Sequence, residues 1–385
     1  MKYYIIAGEA SGDLHGSNLI KELQRRDGGA VIRCWGGDQM QATGATLVKH
    51  YRDLAFMGFA EVIKNLPSIL KNLKFCKQDI SKFAPDVIVF IDYPGFNLRI
   101  AKWAKENGYN TVFYISPQLW AWKENRVKSI KKYIDRMIVI LPFEKEFYEK
   151  WDYKVYYVGH PLVKVIDDYH EAHPLLRPNE NVIALLPGSR LQEIKTKLPV
   201  MLEATKHFPG YEFVVAKAPA VDSAFYDSFL QQYPNVRTVV NSTYSILLQS
   251  AAALVTSGTA TLETALCSVP EIVCYKAGSV SYEIGRRLIK LKFISLVNII
   301  MNKEVIKELI QNELTPENIT LELNKILHDD AYRKRILADY QALKALLSKG
   351  GDASSNAAEI IYEFVATKSL PEKQLNDNDN DGNQE

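Results

Sequence analysis

The chain has 385 residues, 47% of them hydrophobic and 24% charged, with 47 Lys and Arg against 45 Asp and Glu for a formal net charge of +2. That length exceeds one ordinary core and predicts two domains, and the near-balance of charge argues against nucleic acid as the main partner. Cys34, Cys76, Cys267 and Cys274 show no CxxC pair and no His at metal spacing, so neither a disulfide framework nor a zinc site is expected and a reducing cytosol fits best.

The run YYIIA (3–7) is short and apolar, as a buried parallel strand is, and the chain enters it directly, so no signal peptide is expected. GEASGD (8–13) follows as a strand-to-helix turn whose backbone N–H groups can face an anionic group. After VIRCW (31–35), the stretch from Glu61 to Phe83 places Val62, Leu66, Ile69, Leu70, Leu73 and Ile80 at helical spacing, with Lys64, Lys71, Lys74 and Lys77 between them. Such a stripe is either core packing with a solvated Lys face or a basic amphipathic helix for anionic lipid. Met57 and Phe59 in the preceding LAFMGF (54–59) add exposed-looking apolar side chains and tilt the balance towards lipid, and cations interleave with apolar residues again around Arg286, Lys290 and Lys292. No apolar run approaches the roughly 20 residues of a membrane span.

VIVFI (87–91), TVFYI (111–115), MIVIL (137–141) and VYYVG (155–159) continue the alternation, which predicts a doubly wound parallel sheet. Asp92 stands at the carboxyl end of VIVFI, where open α/β sheets hold their ligand chemistry, and Pro94 and Gly95 force a turn there. The residues alone leave two readings for Asp92: a carboxylate facing a cleft, or the cap of a helix beginning near Phe96.

EAHPLLRPNEN (171–181), rich in Pro and polar residues, reads as an interdomain connection, after which the pattern restarts with VIALL (182–186), EFVVA (212–216), VRTVV (236–240), AALVT (252–256) and EIVCY (271–275). PGSR after VIALL offers Gly188 and Ser189 amides and the Arg190 guanidinium to a diphosphate, unless Arg190 is merely solvated. SGTATLE (257–263) offers Ser257, Gly258 and Thr259 to a phosphate and, one turn on, Glu263 to ribose hydroxyls; helix capping explains the Ser and Thr nearly as well. No turn matches GxGxxG or GxxxxGK[ST], which lowers the prior for a dehydrogenase or an ATPase. Mostly helical sequence is expected from about 303 to 366, and the polar, acidic tail 371–385 is expected to be disordered.

These residues resemble the lipid-A-disaccharide synthase family. The matching stretches are GEASGD (8–13), LAFMGFAEV (54–62), IDYPGFN (91–97), SPQLWAWKENR (116–126), LPFEKEFY (141–148), VGHP (158–161), LLPGSRLQEI (185–194), SGTATLE (257–263), SLVNII (295–300) and LIQNE (309–313), in one order over nearly the whole chain. Val297 stands where the family often has Pro, and Gln118 where Ser or Thr is common. The resemblance implies an inverting glycosyltransferase of the GT-B fold, two Rossmann-like doubly wound parallel-sheet domains facing a central cleft. It implies transfer of 2,3-diacylglucosamine from UDP-2,3-diacylglucosamine to 2,3-diacylglucosamine 1-phosphate (lipid X), giving a β-1,6-linked disaccharide 1-phosphate and UDP.

By the same matching, Asp92 is the essential carboxylate. Gly188, Ser189, Arg190, Ser257, Gly258, Thr259, Glu263, Asn298 and Gln311 lie on the UDP side, and Glu9, Ser11, Gly12, Asp13, Phe96, Asn97 and Trp120 on the acceptor side. Neither cofactor nor metal is implied, and no DxD pair ends a strand. The expected domains are 1–170 for the acceptor, with a membrane-associating helix at 61–83, and 171–345 for the UDP-sugar. A helix at 346–366 is expected to pack back on the first domain, with a tail at 367–385. Met57, Phe59, Val62, Leu66, Ile69 and Leu70 are the expected membrane-facing set of a monomer or homodimer, peripheral on the cytoplasmic face of the inner membrane. A UDP-sugar 2-epimerase, a peptidoglycan-type glycosyltransferase and a peripheral nucleotide-binding protein are the competing readings.

Overall fold

A computed structural model of the chain describes residues 1–54, 66–122, 124–218, 221–278, 282 and 291–369. It divides into two compact units, one made of Met1–Pro161 with Gly350–Glu385 and the other of Leu162–Lys349.

The first unit is built on seven parallel strands: β1 Lys2–Ala7, β2 Val31–Gly36, β3 Thr46–His50, β4 Val87–Ile91, β5 Thr111–Tyr114, β6 Arg136–Val139 and β7 Tyr156–Tyr157. Their order in the sheet is β3-β2-β1-β4-β5-β6-β7. All five residues of β4 are apolar and buried, as expected of a strand covered on both faces. The strand order reverses between β1 and β4, and in such sheets the carboxyl ends at the reversal open towards a ligand. Ala7, Ile91 and Tyr114 are in register there, so the turns after β1 and β4 are neighbours.

Polar links inside the core fix the covering helix Leu66–Phe83. Trp35 Nε1 donates to Tyr4 Oη at 2.8 Å, Tyr4 Oη donates to Asp79 Oδ2 at 2.8 Å, and Arg33 Nη2 donates to Asp79 Oδ1 at 2.7 Å. Cys76 and Ile80 on the same helix are buried, Ile69 is half-buried, and Leu70 is 57% exposed. The expected stripe is thus divided: its later residues are core, and Leu70 is not. Met57, Phe59, Val62 and the Leu66 side chain lie outside the described residues, as do Arg286 and Lys290.

Helix Ala353–Ser369 completes this unit against helix Ala10–Arg26. Arg26 Nη2 reaches Ser355 Oγ at 3.1 Å and Glu359 at 3.4 Å, Lys368 Nζ donates to Asn110 Oδ1 at 2.9 Å, and the Arg136 guanidinium lies 4.5 Å from the Phe364 ring centre.

The second unit has six parallel strands: β8 Asn179–Leu186, β9 Glu212–Lys217, β10 Val236–Val240, β11 Ser250–Thr256, β12 Glu271–Tyr275 and β13 Lys307–Ile310, in the order β10-β9-β8-β11-β12-β13. Its reversal lies between β8 and β11. Within the mostly helical stretch expected from about 303 to 366, Lys307–Ile310 forms the edge strand β13; four residues are too few for alternation to stand out. The chain changes units at 161/162 and 349/350, not at 170/171 and 345/346. Helix Pro161–Ala172 goes with the second unit from Leu162 onward, its Asp167 paired with Lys344 at 2.5 Å.

Candidate active site

In the first unit the carboxyl end of β4 runs into a strained turn. Asp92 and Tyr93 both have positive φ, 43° and 49°, a conformation that costs a non-glycine residue of order 1 kcal/mol or more. Buried Asn97 braces it: its Nδ2 lies 2.7 Å from the Asp92 carbonyl and 3.3 Å from those of Ile6 and Ile91, tying the ends of β1 and β4 together. Helix Pro94–Glu106 begins directly behind, with Tyr93 as its N-cap residue and no side-chain cap bond, so the Asp92 carboxylate is not a helix cap. Tyr93 leans over Gly8, where a Cβ would lie 2.3 Å from its ring; only glycine admits that approach.

The Asp92 carboxyl is pushed up to about 7, first by burial, then by the Glu9 carboxylate, against a backbone hydrogen bond from Tyr93. A carboxylate so poised takes a proton efficiently near neutral pH.

The other acceptor-side residues divide by what they touch. Ser11 and Gly12 lie in the first turn of helix Ala10–Arg26, after the N-cap Glu9. Asp13 is buried and accepts from the backbone N–H groups of Gly37 at 2.7 Å, Met40 at 3.0 Å and Gln39 at 3.1 Å, so its carboxylate fastens this helix to the turn after β2. Phe96 is a core side chain between Trp35 and Tyr93, with ring centres 5.3 and 5.8 Å away. Trp120, half-buried on helix Leu119–Trp122, meets Phe143 edge-on at 4.9 Å. Of this set, Phe96 and Asp13 act on the core or the backbone rather than towards a ligand, and Asn97 uses its Nδ2 on the backbone while its buried Oδ1 accepts no hydrogen bond from the described residues.

In the second unit the turns after β8 and β11 leave neighbouring strands at the reversal. Gly188 has φ 123°, and a Cβ there would come within 2.4 Å of Glu193 Oε2. Ser189 N donates to that same oxygen at 3.1 Å, and Arg190, half exposed, lies 3.7 Å from Glu193 Oε1. A carboxylate therefore sits on the turn amide and the guanidinium expected to hold a diphosphate. Ser257 Oγ donates to the Ile294 carbonyl at 2.9 Å, Gly258 takes φ 146°, and helix Thr259–Leu266 follows with Thr259 exposed. Glu263, half-buried, accepts from Tyr244 Oη at 2.8 Å, and burial raises its pKa against that bond.

Asn298 is used internally. Its Oδ1 accepts from Val305 N and Ile306 N at 2.8 and 3.1 Å, and its Nδ2 donates to Ile306 O and Glu308 Oε1, each at 2.9 Å, which satisfies the amide in full. Gln311 makes a paired contact with the Ala277 backbone, accepting at 2.7 Å and donating at 3.2 Å. Asn298 thus fixes the chain leading into β13, and Gln311 ties the carboxyl end of β13 to the loop after β12, instead of presenting a polar group.

Two groups at these strand ends escaped the sequence reading. Glu144, within LPFEKEFY, is buried and pushed up to about 7 by burial, while the N–H groups of Leu141 and Ile140 bond to it at 2.9 and 3.2 Å. Lys197 is buried on helix Leu191–Thr205; its place seven residues after Arg190, on the same helix face, was a signal available in the sequence. Among the described residues, no group of three or more His, Cys, Asp and Glu side chains is arranged to hold a metal ion, and no helix is long and apolar enough to cross a membrane.

The family model described as lipid-A-disaccharide synthetase matches residues 3–363. The chain is 38% identical over 375 residues to the lipid-A-disaccharide synthase of Geobacter metallireducens and 39% identical over 372 residues to that of Syntrophus aciditrophicus, in each case over 94% of this chain and 97% of the relative. Among solved structures, the glycotransferase of kitacinnamycin superposes with a TM-score of 0.65 at 16% identity, over 94% of this chain and 98% of that one. The UDP-GlcNAc 2-epimerase of Neisseria meningitidis bound to UDP-GlcNAc does so at 0.63 and 14%, over 95% and 100%. At such identities these two likenesses establish the fold, shared by transferases and epimerases alike.

Proposed function

The chain belongs to the lipid-A-disaccharide synthetase family, and from that premise we propose how its residues carry out the transfer of 2,3-diacylglucosamine from UDP to 2,3-diacylglucosamine 1-phosphate. Asp92 is the base. Its carboxylate takes the proton of the acceptor's 6-hydroxyl as that oxygen bonds to the anomeric carbon of the donor sugar. The bond from that carbon to the UDP β-phosphate oxygen breaks on the opposite face, so configuration inverts and the bonding pair leaves with UDP. Arg190, the Ser189 amide and the N-termini of helices Leu191–Thr205 and Thr259–Leu266 offset the growing diphosphate charge. Glu263 accepts from the ribose, Gln311 holds the loop after β12 beside it, Asn298 steadies the chain leading into β13, and Glu9, Ser11 and Trp120 border the acceptor.

The observation that carries the assignment of the base is Asp92 at the sheet reversal, held in an αL turn by Asn97 and raised to about 7. The test is UDP release by purified protein with each acylated glucosamine acceptor, for the native chain and Asp92→Asn.

Both substrates carry acyl chains, which favours action at a membrane surface. Leu70, exposed beside Lys71 and Lys74 on helix Leu66–Phe83, supports peripheral attachment to anionic lipid on the cytoplasmic face of the inner membrane.

A further inference from the structure

Lys197 lies one turn beyond Glu193 on helix Leu191–Thr205 and is 2% exposed. Its ammonium donates to Thr256 Oγ1 at the end of β11 and lies 5.8 Å from the centre of the Tyr275 ring at the end of β12. Neither neighbour is an anion. Among the described residues no carboxylate stands within 4.0 Å of it, and an ammonium buried without one is costly. Burial lowers its pKa, Glu193 and then Cys274 oppose that shift, and Arg190 adds to it, so the groups of the PGSR turn and Lys197 share one field.

Glu193 occupies the Ser189 amide and pairs with Arg190, the two groups assigned above to the diphosphate. An incoming diphosphate must displace that carboxylate. Glu and Lys four residues apart, in this order, is the favourable spacing for an ion pair on a helix.

We propose that Lys197 is a positioning residue for the donor: it receives the Glu193 carboxylate when the diphosphate replaces it on Ser189 and Arg190. The proposal rests on the donor assignment made above. It makes the PGSR turn a site held by an internal anion and released by exchange onto a buried cation.

Calorimetry with UDP and with uridine tests it. Lys197→Met should weaken UDP binding about tenfold, since the displaced charge loses its partner, and leave uridine binding unchanged. Its melting temperature should not fall, because exchanging a buried charge for an apolar chain of similar volume is often neutral or stabilising. Glu193→Gln keeps a residue suited to the helix start and should by itself tighten UDP binding. Combined with Lys197→Met, it should restore UDP affinity to within about threefold of the native value. UDP affinity unchanged in Lys197→Met, equal losses for UDP and uridine, or no restoration in the double variant would each overturn the proposal. Arg190→Ala separates the two levels: if it leaves UDP affinity unchanged, the donor assignment falls, whereas a loss there with none in Lys197→Met removes Lys197 alone.

Discussion

Asp92 combines a strained backbone with a carboxyl raised to about 7, so the role of base proposed above makes its protonation the expected control on activity as well as stability. Asp92→Asn keeps the size and removes the proton acceptor; turnover should fall at least about a hundredfold while UDP affinity, measured by calorimetry, stays near native. In the native enzyme kcat/KM should rise with pH through about 7 and level off above it, and Glu9→Gln should move that limb to lower pH, because the Glu9 carboxylate is the second cause of the shift. For stability the sign is set by a folded pKa above the unfolded one. The cost of the ionised group is absent below the ordinary carboxylate pKa, grows as pH rises towards 7 and is complete above it. Melting curves should therefore show Asp92→Asn more stable than native at pH 8 and no different at pH 4. Arg190→Ala should weaken UDP binding by about 1.5–3 kcal/mol, the range for a charge-assisted contact. Asp92 and Arg190 were legible because each ends a recognisable strand or turn. Asn97, Asn298 and Asp13 were legible as polar residues near such ends, but whether an amide or carboxylate faces a ligand or a backbone depends on contacts made by chain far away in sequence.

At the scale of an element, helix Leu66–Phe83 shows what periodicity can and cannot say. Its 3.6-residue repeat of apolar residues was plain, yet the repeat serves a core on one side and leaves Leu70 in solvent on another. Ile80→Ala should cost about 2–5 kcal/mol in a denaturation curve, as for a fully buried side chain. Leu70→Ser should leave that curve within about 0.5 kcal/mol of native and reduce sedimentation with vesicles containing anionic lipid. Unchanged sedimentation would remove Leu70 from the membrane face. The central strands were legible because buried parallel strands are apolar throughout, whereas β13 was not, since Lys307–Ile310 is half-buried at an edge and gives no comparable run.

For the whole molecule, two βα alternations separated by a Pro-rich stretch were enough to expect two doubly wound units, and the two parallel sheets follow that expectation. Strand order was not legible, because only tertiary packing decides where a sheet reverses. The return of the chain to the first unit was expected, from the family resemblance, as a helix beginning at 346, and it takes place at 349/350. The return helix Ala353–Ser369 buries Ala357, Ala358, Ile361 and Val365, so ending the chain at Lys349 should lower the melting temperature of the first unit and not only that of the protein's end. That arrangement carries a consequence for synthesis. A ribosome makes residues 1–161 first, but the segment that closes this unit emerges only after all of 162–349 has been made. The first half must wait, with the flank of helix Ala10–Arg26 uncovered, while the second half, continuous in sequence, is free to fold ahead of it. The order of completion along the nascent chain is thus the reverse of the order of translation.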